Sequence, residues 1–366
     1  MTTFKATTSA LVGLVLVLVM QARPATENRS GAYLDQARDV ARWIRASAIK
    51  VGEGLTWPAD PADAKTTSLT LYAGSPGIIL FFLEANRATG DRQLLSDARA
   101  GADHLLSVLR EEKQCGLYEG LSGIGYALIE TFKSTGEARY REGGRECFEL
   151  IRRRASKVGR GVEWSDVTDI IAGSAGIGLT LLYAARELNE PAYRQLAVEA
   201  GRRLIELGQE EAGGLKWAMS PSFNRLMPNF SHGTAGIAYF LATLYQETRD
   251  KLFLDAAIAG ARYLQAIART EGDVCLIFHN EPEGKELFYL GWCHGPAGSA
   301  RLFLSALSSY RRADMDDVGR TIRKGDHIER HSGKANARIL EQRESMLWLG
   351  RRCRVLSRSF QGDSPA

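Results

Sequence analysis

One short pattern recurs five times along the chain, and it constrains the fold more than any other feature. Each copy has two glycines three residues apart, and an apolar segment follows the second glycine. The final glycines are separated by 46, 53, 60 and 62 residues. A repeat of this kind indicates stacked supersecondary units. The five copies are Tyr72-Ala-Gly-Ser-Pro-Gly-Ile78, Tyr118-Glu-Gly-Leu-Ser-Gly-Ile124, Ile171-Ala-Gly-Ser-Ala-Gly-Ile177, Ser231-His-Gly-Thr-Ala-Gly-Ile237 and Cys293-His-Gly-Pro-Ala-Gly298.

Each unit is predicted to be a pair of helices. The run 78–83 after the first motif is apolar on every side, as expected for an inner helix buried on two faces. After the turn Thr89-Gly-Asp91, apolar residues recur on one helical face with charged residues between them, which is typical of an outer amphipathic helix. The residues of that face are Leu94, Leu95, Ala98, Ala102, Leu105 and Leu106.

Wholly apolar inner helices favour a closed ring over an open solenoid. We therefore predict an all-α fold, an (α/α) toroid of helix-pair repeats that is incomplete at its C-terminus. Glycine is abundant for a helical chain, with 37 residues, and ten of these lie in the motifs. We expect them to let the chain turn tightly where each inner helix begins, and to leave backbone N–H groups open toward the centre of the ring.

The first 25 residues predict an export signal or an N-terminal anchor. Lys5 precedes the apolar run 10–20, which has the length of a signal peptide and is short for a membrane span. We expect the protein to be exported (periplasmic or secreted) or tethered to a membrane by this segment. A formal net charge of +4 is too weak to indicate nucleic-acid binding. Five cysteines, an odd number, argue against a disulfide scaffold.

Three of the motifs resemble those of the lanthionine synthetase C-like (LanC-like) family of zinc-dependent cyclases, over about residues 30–310. Gly291-Trp-Cys-His-Gly-Pro-Ala-Gly298 resembles the family's first zinc-cysteine motif. Asn229-Phe-Ser-His-Gly-Thr-Ala-Gly236 resembles the motif with its active-site histidine, and Asp169-Ile-Ile-Ala-Gly-Ser-Ala-Gly176 the motif with its active-site aspartate. The resemblance implies a toroid of seven helix pairs whose zinc ion binds two cysteines and a histidine.

The implied reaction adds a peptide cysteine thiol to a dehydroamino acid and forms a thioether (lanthionine) ring. The resemblance makes Cys293 the expected zinc ligand, and the zinc ion would keep the thiol of the substrate deprotonated at neutral pH. His232 is the candidate general acid for the resulting enolate, since the pKa of imidazole lies near neutral pH. Asp169 is the residue expected to orient His232. The expected partner is a peptide or a small thiol.

Structural alternatives stand beside each of these roles. His232 could hydrogen-bond a turn, Asp169 could cap its helix, and Cys293 could be a buried thiol. His294 could support the site or be a bystander, and Tyr72, Tyr118 and Trp292 could line a central cavity or simply pack. The remaining histidines fall outside the motifs and are predicted to lie on the surface; they are His104, His279, His327 and His331.

The repeat stops after Tyr310, although the resemblance requires two further zinc ligands there. Residues 311–366 carry a net charge of +5, against −1 for the rest of the chain. If the codons of Met346-Leu-Trp348 are read one base later, the first must encode Cys and the third Gly, as in a repeat motif. We therefore predict a toroid over 26–310, then a tail outside the family that arises from a frameshift. In this chain the zinc site would be incomplete and the activity impaired.

Three other functions remain open from the sequence. A glutathione- or thiol-binding relative would use the same zinc with a small substrate. A carbohydrate-active enzyme on the same kind of toroid would need two carboxylates facing the centre, such as Asp169 and Glu119. A non-catalytic peptide-binding scaffold would need neither zinc nor carboxylates.

Overall fold

The computed structural model describes residues 26–223, 225–271 and 274–306, and within them helices dominate. The helices are α1 (Thr26–Ala46), α2 (Ser75–Thr89), α3 (Arg92–Val108), α4 (Leu121–Thr135), α5 (Ala138–Arg154), α6 (Ser174–Glu187), α7 (Pro191–Glu206), α8 (Thr234–Thr248), α9 (Lys251–Ile267) and α10 (residues 296–306). The strands are β1 (Ile49–Val51), β2 (Gly54–Thr56), β3 (Pro58–Asp60), β4 (Asp63–Thr67), β5 (Ser156–Val158), β6 (Gly161–Glu163), β7 (Gln209–Glu211), β8 (Gly214–Lys216), β9 (Arg269–Glu271) and β10 (Val274–Leu276).

The predicted all-α toroid of helix pairs is confirmed. Inner helices α2, α4, α6 and α8 each begin within a glycine motif and pack along the outer helix that follows: α3, α5, α7 and α9. The inner helices are buried on several faces, whereas each outer helix buries one stripe and exposes charged residues. In α3, for example, Leu94, Ala98, Ala102 and Leu105 are buried together, as the periodicity predicts.

The turns between paired helices follow from their sequences. Gly90 ends α2 in the left-handed conformation at φ 72°, which a residue with a Cβ adopts only at a cost. The Asp91 carboxylate then caps α3 by accepting a hydrogen bond from the Gln93 amide. Gly136 ends α4 in the same way.

The motif glycines are required for close approach between repeats, and their φ angles are not left-handed. A Cβ on Gly176 would lie 2.1 Å from the carbonyl oxygen of Ile170. A Cβ on Gly236 would lie 2.1 Å from the carbonyl oxygen of Phe230 and 2.5 Å from the Ile170 side chain of the preceding repeat. The final glycines of the second to fifth motifs therefore let each repeat pack on the loop of the repeat before it.

Our expectation that the motifs leave backbone N–H groups open toward the centre is wrong. The amides of Ser174 and Ala175 donate to the carbonyls of Val167 and Thr168, seven residues earlier. The amides of Thr234 and Ala235 donate to Met227 and Pro228 in the same register. The loop before each helix satisfies these donors because the glycines bring it close to the helix N-terminus.

Short β-hairpins, which the helical pattern did not predict, join most outer helices to the next repeat. Three of them end in the pattern Gly-x-x-Trp, at Trp57, Trp164 and Trp217. The indole N–H of Trp164 donates to the Ile151 carbonyl at 2.7 Å, and that of Trp217 donates to the Leu204 carbonyl at 2.7 Å. Trp164 and Trp217 thus each satisfy a carbonyl near the C-terminus of the outer helix that precedes the hairpin.

The N-terminal segment 1–25 and the tail from residue 307 lie outside the described residues, so the export and frameshift hypotheses stay predictions. Among the described helices, none combines the length and the apolar character needed to cross a bilayer.

Candidate functional site

The five motifs meet through a chain of backbone hydrogen bonds at the centre of the ring. Each link joins the loop of one repeat to the loop of the next, so the N-terminal ends of the inner helices gather around one point. The links run from the Tyr72 amide to the Tyr118 carbonyl (3.3 Å), from the Tyr118 amide to the Ile171 carbonyl (2.8 Å), from the Ile170 amide to the Ser231 carbonyl (3.1 Å) and from the Ser231 amide to the Cys293 carbonyl (3.0 Å).

Aromatic side chains from non-adjacent repeats meet at the centre of the toroid. Tyr118 belongs to the second repeat and Trp292 to the fifth, yet their ring centroids are 5.5 Å apart. Trp292 also contacts Phe230 at 5.3 Å, and Tyr118 contacts Tyr72 at 6.4 Å. Tyr72 is 69% exposed, whereas Phe230 is buried. These four rings form an apolar wall. It begins at the exposed Tyr72 and reaches Trp292, which directly precedes Cys293.

The structure brings Asp169 and His232 together, 63 residues apart in sequence. The Oδ2 atom of Asp169 lies 2.7 Å from Nδ1 of His232, and Oδ1 accepts hydrogen bonds from the amides of Ala172 and Gly173, both at 2.9 Å. A carboxylate accepts and does not donate, so the N–H at Nδ1 donates to Asp169 and Nε2 is left for a ligand. Asp169 thus fixes its own loop and also orients His232.

The backbone around His232 is fixed as firmly as its ring. The His232 amide donates to Oδ1 of Asn229 at 3.0 Å, and the Ser231 hydroxyl donates to the Cys293 carbonyl at 2.9 Å. The Asp169 side chain is 2% exposed, and that of His232 is 27% exposed. The aspartate is therefore enclosed in protein while part of the imidazole remains accessible.

Cys293 lies at the same centre, and the structure distinguishes it from the other described cysteines. It is half-buried, whereas Cys115, Cys147 and Cys275 are buried. Its carbonyl accepts from both the amide and the hydroxyl of Ser231, the neighbour of His232. The backbones that carry the predicted histidine and cysteine are thus coupled directly.

Two further histidines lie beside this group, and sequence reasoning missed one of them. The His294 ring centroid is 5.5 Å from that of His232 and 4.6 Å from that of His279. Our surface prediction for His279 is wrong, because the hairpin β9–β10 returns the chain to the centre. The Nδ1 atoms of His279 and His294 are buried without a hydrogen-bond partner in the described part. No sequence signal could have placed His279 here, because it lies outside the motifs and far from His232 in sequence.

Electrostatics keep this imidazole pair neutral near pH 7. Burial, reinforced by the nearby His279 and His232, lowers the pKa of His294 to about 4. Burial and the neighbouring His232 and Arg225 also lower the pKa of His279. Tyr289, which is 45% exposed, contacts both rings, at 5.0 Å from His279 and 5.6 Å from His294.

His104 is also placed differently from our surface prediction. It is 9% exposed, on the buried face of α3, where its backbone and Cβ approach Gly54 of strand β2. The β1–β2 hairpin covers His104. The prediction missed this because the helical periodicity of α3 gives no information about a hairpin. His327 and His331 lie outside the described residues.

The described residues do not by themselves fit a zinc ion. Cys293 is the one ligand that the resemblance assigns within them, and the two later ligands would follow residue 310. Over residues 26–223, 225–271 and 274–306, no group of three or more His, Cys, Asp or Glu side chains is arranged to hold a metal ion. We therefore derive no chemical step through a metal, and zinc stays a prediction.

The geometry does not support Asp169 and Glu119 as a pair of glycosidase carboxylates. Both oxygens of Asp169 are engaged, one by two amides and the other by His232. Glu119 is exposed. Such a pair needs two carboxyl groups that face the substrate, and Asp169 is turned into its own loop.

Comparison with solved structures finds several matches. Nisin cyclase is 18% identical, with a TM-score of 0.53, over 85% of this chain and 77% of that chain. At this identity the match shows the fold alone. D-mannose isomerase is 14% identical, with a TM-score of 0.49, over 77% of this chain and 82% of that chain. An inactive variant of an α-1,6-mannanase from Salegentibacter sp. HEL1_6 is 14% identical, with a TM-score of 0.48, over 87% of this chain and 85% of that chain.

A family model gives the relationship more directly. The model of the lanthionine synthetase C-like protein matches residues 65–332, more than half of the chain. The match extends past residue 310, where the recognisable repeats end. The predicted bounds of the toroid, residues 26–310, stay a prediction. It spans all five motifs and the residues Asp169, His232 and Cys293. The chain belongs to the lanthionine synthetase C-like family.

Proposed function

We propose that this chain catalyses the addition of a cysteine thiol to a dehydroamino acid in a peptide, forming a thioether. The observation that carries the proposal is the 2.7 Å contact between Asp169 and His232, set beside Cys293 at the centre of the ring. This arrangement fixes the orientation of the imidazole before substrate binds and leaves Nε2 free to take up a proton and pass it on.

His232 acts as the acid in the proposed reaction. The thiolate sulfur bonds to the β-carbon, the carbon–carbon double bond opens, and its electron pair passes to an enolate. The α-carbon then takes a proton from Nε2 of His232. The histidine regains a proton that the thiol released, through water, so the addition consumes no co-reactant. Asp169 stabilises the charged imidazolium before the transfer.

The resemblance supplies the rest of the proposal. By the resemblance, Cys293 and two ligands beyond residue 310 would hold a zinc ion, which would favour the deprotonated form of a substrate thiol. We find no residues after 310 that match those two ligands, so we expect impaired activity. In a chain with the reading frame restored, metal analysis should find about one zinc per chain, which is lost in Cys293→Ala. Resequencing the gene tests the frameshift itself.

Because impaired activity is expected otherwise, the direct test uses the chain with the reading frame restored, as wild type and as variants. The substrate is a model peptide that contains one cysteine and one dehydroalanine. Cyclisation leaves the mass unchanged but removes the free thiol, so loss of alkylation by iodoacetamide reports the product. We expect His232→Gln to slow the addition by roughly 100-fold or more, in the range for loss of a general acid. Cys115→Ala, a thiol away from the centre, is the control. Equal rates for the wild type and His232→Gln would refute the assignment.

The same experiment separates catalysis from a scaffold role. A scaffold would bind the peptide without consuming its thiol, in the wild type and in His232→Gln alike. The enzyme should bind the peptide equally in both and consume the thiol faster in the wild type. Export of the protein, or its attachment to a membrane by residues 1–25, stays part of the proposal, and detection of the mature N-terminus by mass spectrometry tests it.

A further inference from the structure

Arg301 breaks the pattern of the repeats at one position. It stands three residues after the final glycine of its motif. The other four repeats have an apolar or aromatic residue there: Leu80, Tyr126, Leu179 and Tyr239. A charged residue at a position that the fold fills with apolar side chains gains nothing from packing alone, so it calls for a separate explanation.

The inner helices otherwise carry their cations in a different place and in ion pairs. Arg87, Lys133 and Arg186 lie in the last turns of α2, α4 and α6. They pair with Glu84, Glu130 and Glu247, respectively. Arg301 lies in the first half of α10, is exposed, and forms no ion pair within the described part of the chain.

The surroundings of Arg301 are those of the central site. Its guanidinium carbon lies 5.9 Å from the centroid of the Phe230 ring, a cation–π distance, and Phe230 contacts Trp292. The Tyr118 phenol lies within electrostatic range of both the Arg301 guanidinium and the Cys293 thiol. Burial has the largest effect on the pKa of the Tyr118 phenol, but Arg301 and Cys293 are both close enough to shift it as well.

We propose that Arg301 binds a carboxylate of the thiol substrate, so that the site selects an anionic thiol over a neutral one. The inference rests on the proposed function in that the bound molecule is the thiol of that reaction. A guanidinium pairs with a carboxylate through two parallel hydrogen bonds. The Phe230 ring lies beside the guanidinium, which is exposed and so remains open to a carboxylate. The carboxylate belongs either to the substrate peptide or to a small thiol.

The test compares two thiols that differ by one charge, N-acetylcysteine and N-acetylcysteine amide. Their dissociation constants are measured by calorimetry with the full chain. We expect the acid to bind roughly 10-fold more tightly than the amide, as for a charge-assisted hydrogen bond. Arg301→Gln should abolish this preference, and Arg301→Lys should retain part of it, since an ammonium cannot make the bidentate contact.

The matched control is Arg262→Gln. Arg262 is an exposed arginine on outer helix α9, and its replacement removes the same charge from the protein. It should leave the preference intact. Equal binding of the two thiols by the wild type, no binding of either, or a preference that persists in Arg301→Gln would each overturn the inference.

A third arm distinguishes the source of the carboxylate. A cysteine peptide with an aspartate beside the cysteine should outcompete N-acetylcysteine if the peptide supplies the carboxylate, and should lose if a small thiol does. His232→Gln separates this inference from the proposed function, since it should stop the addition without altering the preference. A preference that exists without any addition would refute the reaction and leave the anion site standing.

Discussion

The two sides of the central site are built in opposite ways. On one side, which we call the proton-transfer side, Asp169, Asn229 and His232 engage one another and the backbone through hydrogen bonds of 2.7–3.0 Å. The other side, which we call the thiol side, contains His279, Cys293, His294 and Arg301. There the His279 and His294 rings contact each other and Arg301 lies over Phe230. The two histidine Nδ1 atoms have no partner within the described residues, and Arg301 has no ion pair there.

The difference between the two sides fits two different tasks: one side orients a group of the protein, and the other leaves polar groups available to bind a ligand. In the proposed reaction a proton donor must be held in one geometry, and hydrogen bonds within the protein hold His232 in this way. A binding surface must keep polar groups available for a ligand, and buried polar atoms without partners cost free energy until they are satisfied. The thiol side therefore contributes less to folding than the proton-transfer side does.

The largest expected effect tests how closely the proton-transfer side is packed. Gly236→Ala places a methyl group 2.1 Å from the Phe230 carbonyl, so we expect a loss of about 3 kcal/mol or more in the free energy of unfolding. Gly291→Ala, on the thiol side, meets no atom within 4 Å and should change it by less than about 0.5 kcal/mol. Urea denaturation measures both. Equal losses would remove the contrast.

A second pair of variants compares polar groups on the two sides. Asp169→Ala leaves the amides of Ala172 and Gly173 and the His232 ring without their acceptor, and should cost about 2 kcal/mol of unfolding free energy. His294→Phe removes a buried nitrogen that has no partner and keeps a ring of similar size. It should cost nothing or gain up to about 1 kcal/mol. A large loss for His294→Phe would show that the thiol side is also structural.

The same contrast occurs away from the centre, in the hairpin tryptophans. The Trp217 indole donates to the Leu204 carbonyl, whereas the buried Trp57 indole nitrogen has no partner among the described residues. Both side chains are almost fully buried, so replacement by Phe removes a similar volume. Trp217→Phe should therefore cost about 1 kcal/mol more than Trp57→Phe in thermal or urea unfolding. If the two cost the same, the indole hydrogen bond contributes no net stability.

The smallest expected effect concerns pH. Burial lowers the pKa of His104 below the ordinary histidine value of 6.5, although the negative charge of Glu111 opposes this shift. The unfolded chain then takes up a proton at higher pH than the folded chain does. The contribution of the neutral His104 to the free energy of unfolding is therefore fully present above pH 6.5. It declines as the pH falls from 6.5 toward the pKa of His104 in the folded state. His104→Leu should flatten this decline; an unchanged slope would assign it to other groups.

The fold could be predicted from the sequence because each copy of the repeat marks one helix pair. Two glycines and an apolar run mark each inner helix, and the face that contains Leu94 and Leu105 marks an outer one. The hairpins were not predicted because their strands are three to five residues long, too short for a clear alternation. The Gly-x-x-Trp pattern was visible in the sequence and would have located three of them.

Parts of the site were accessible for the same reason, since Asp169, His232 and Cys293 each occupy a motif. Their assignment to chemical roles stays a prediction. Arg301 carried a signal in the sequence, as a charge at a position where the other repeats are apolar. His279 carried none, because it lies outside the motifs and reaches the centre only through the path of the chain after β10.

The sequence by itself determined the helix pairs, the fold class and which segments converge, because periodicity and repeated glycines act locally in each unit. Only the tertiary structure decided which groups meet. The contact of Asp169 with His232, of Tyr118 with Trp292 and of His279 with His294 depends on the rotation between successive repeats. That rotation is the sum of many close packing contacts, such as those at Gly176 and Gly236, and no single residue encodes it.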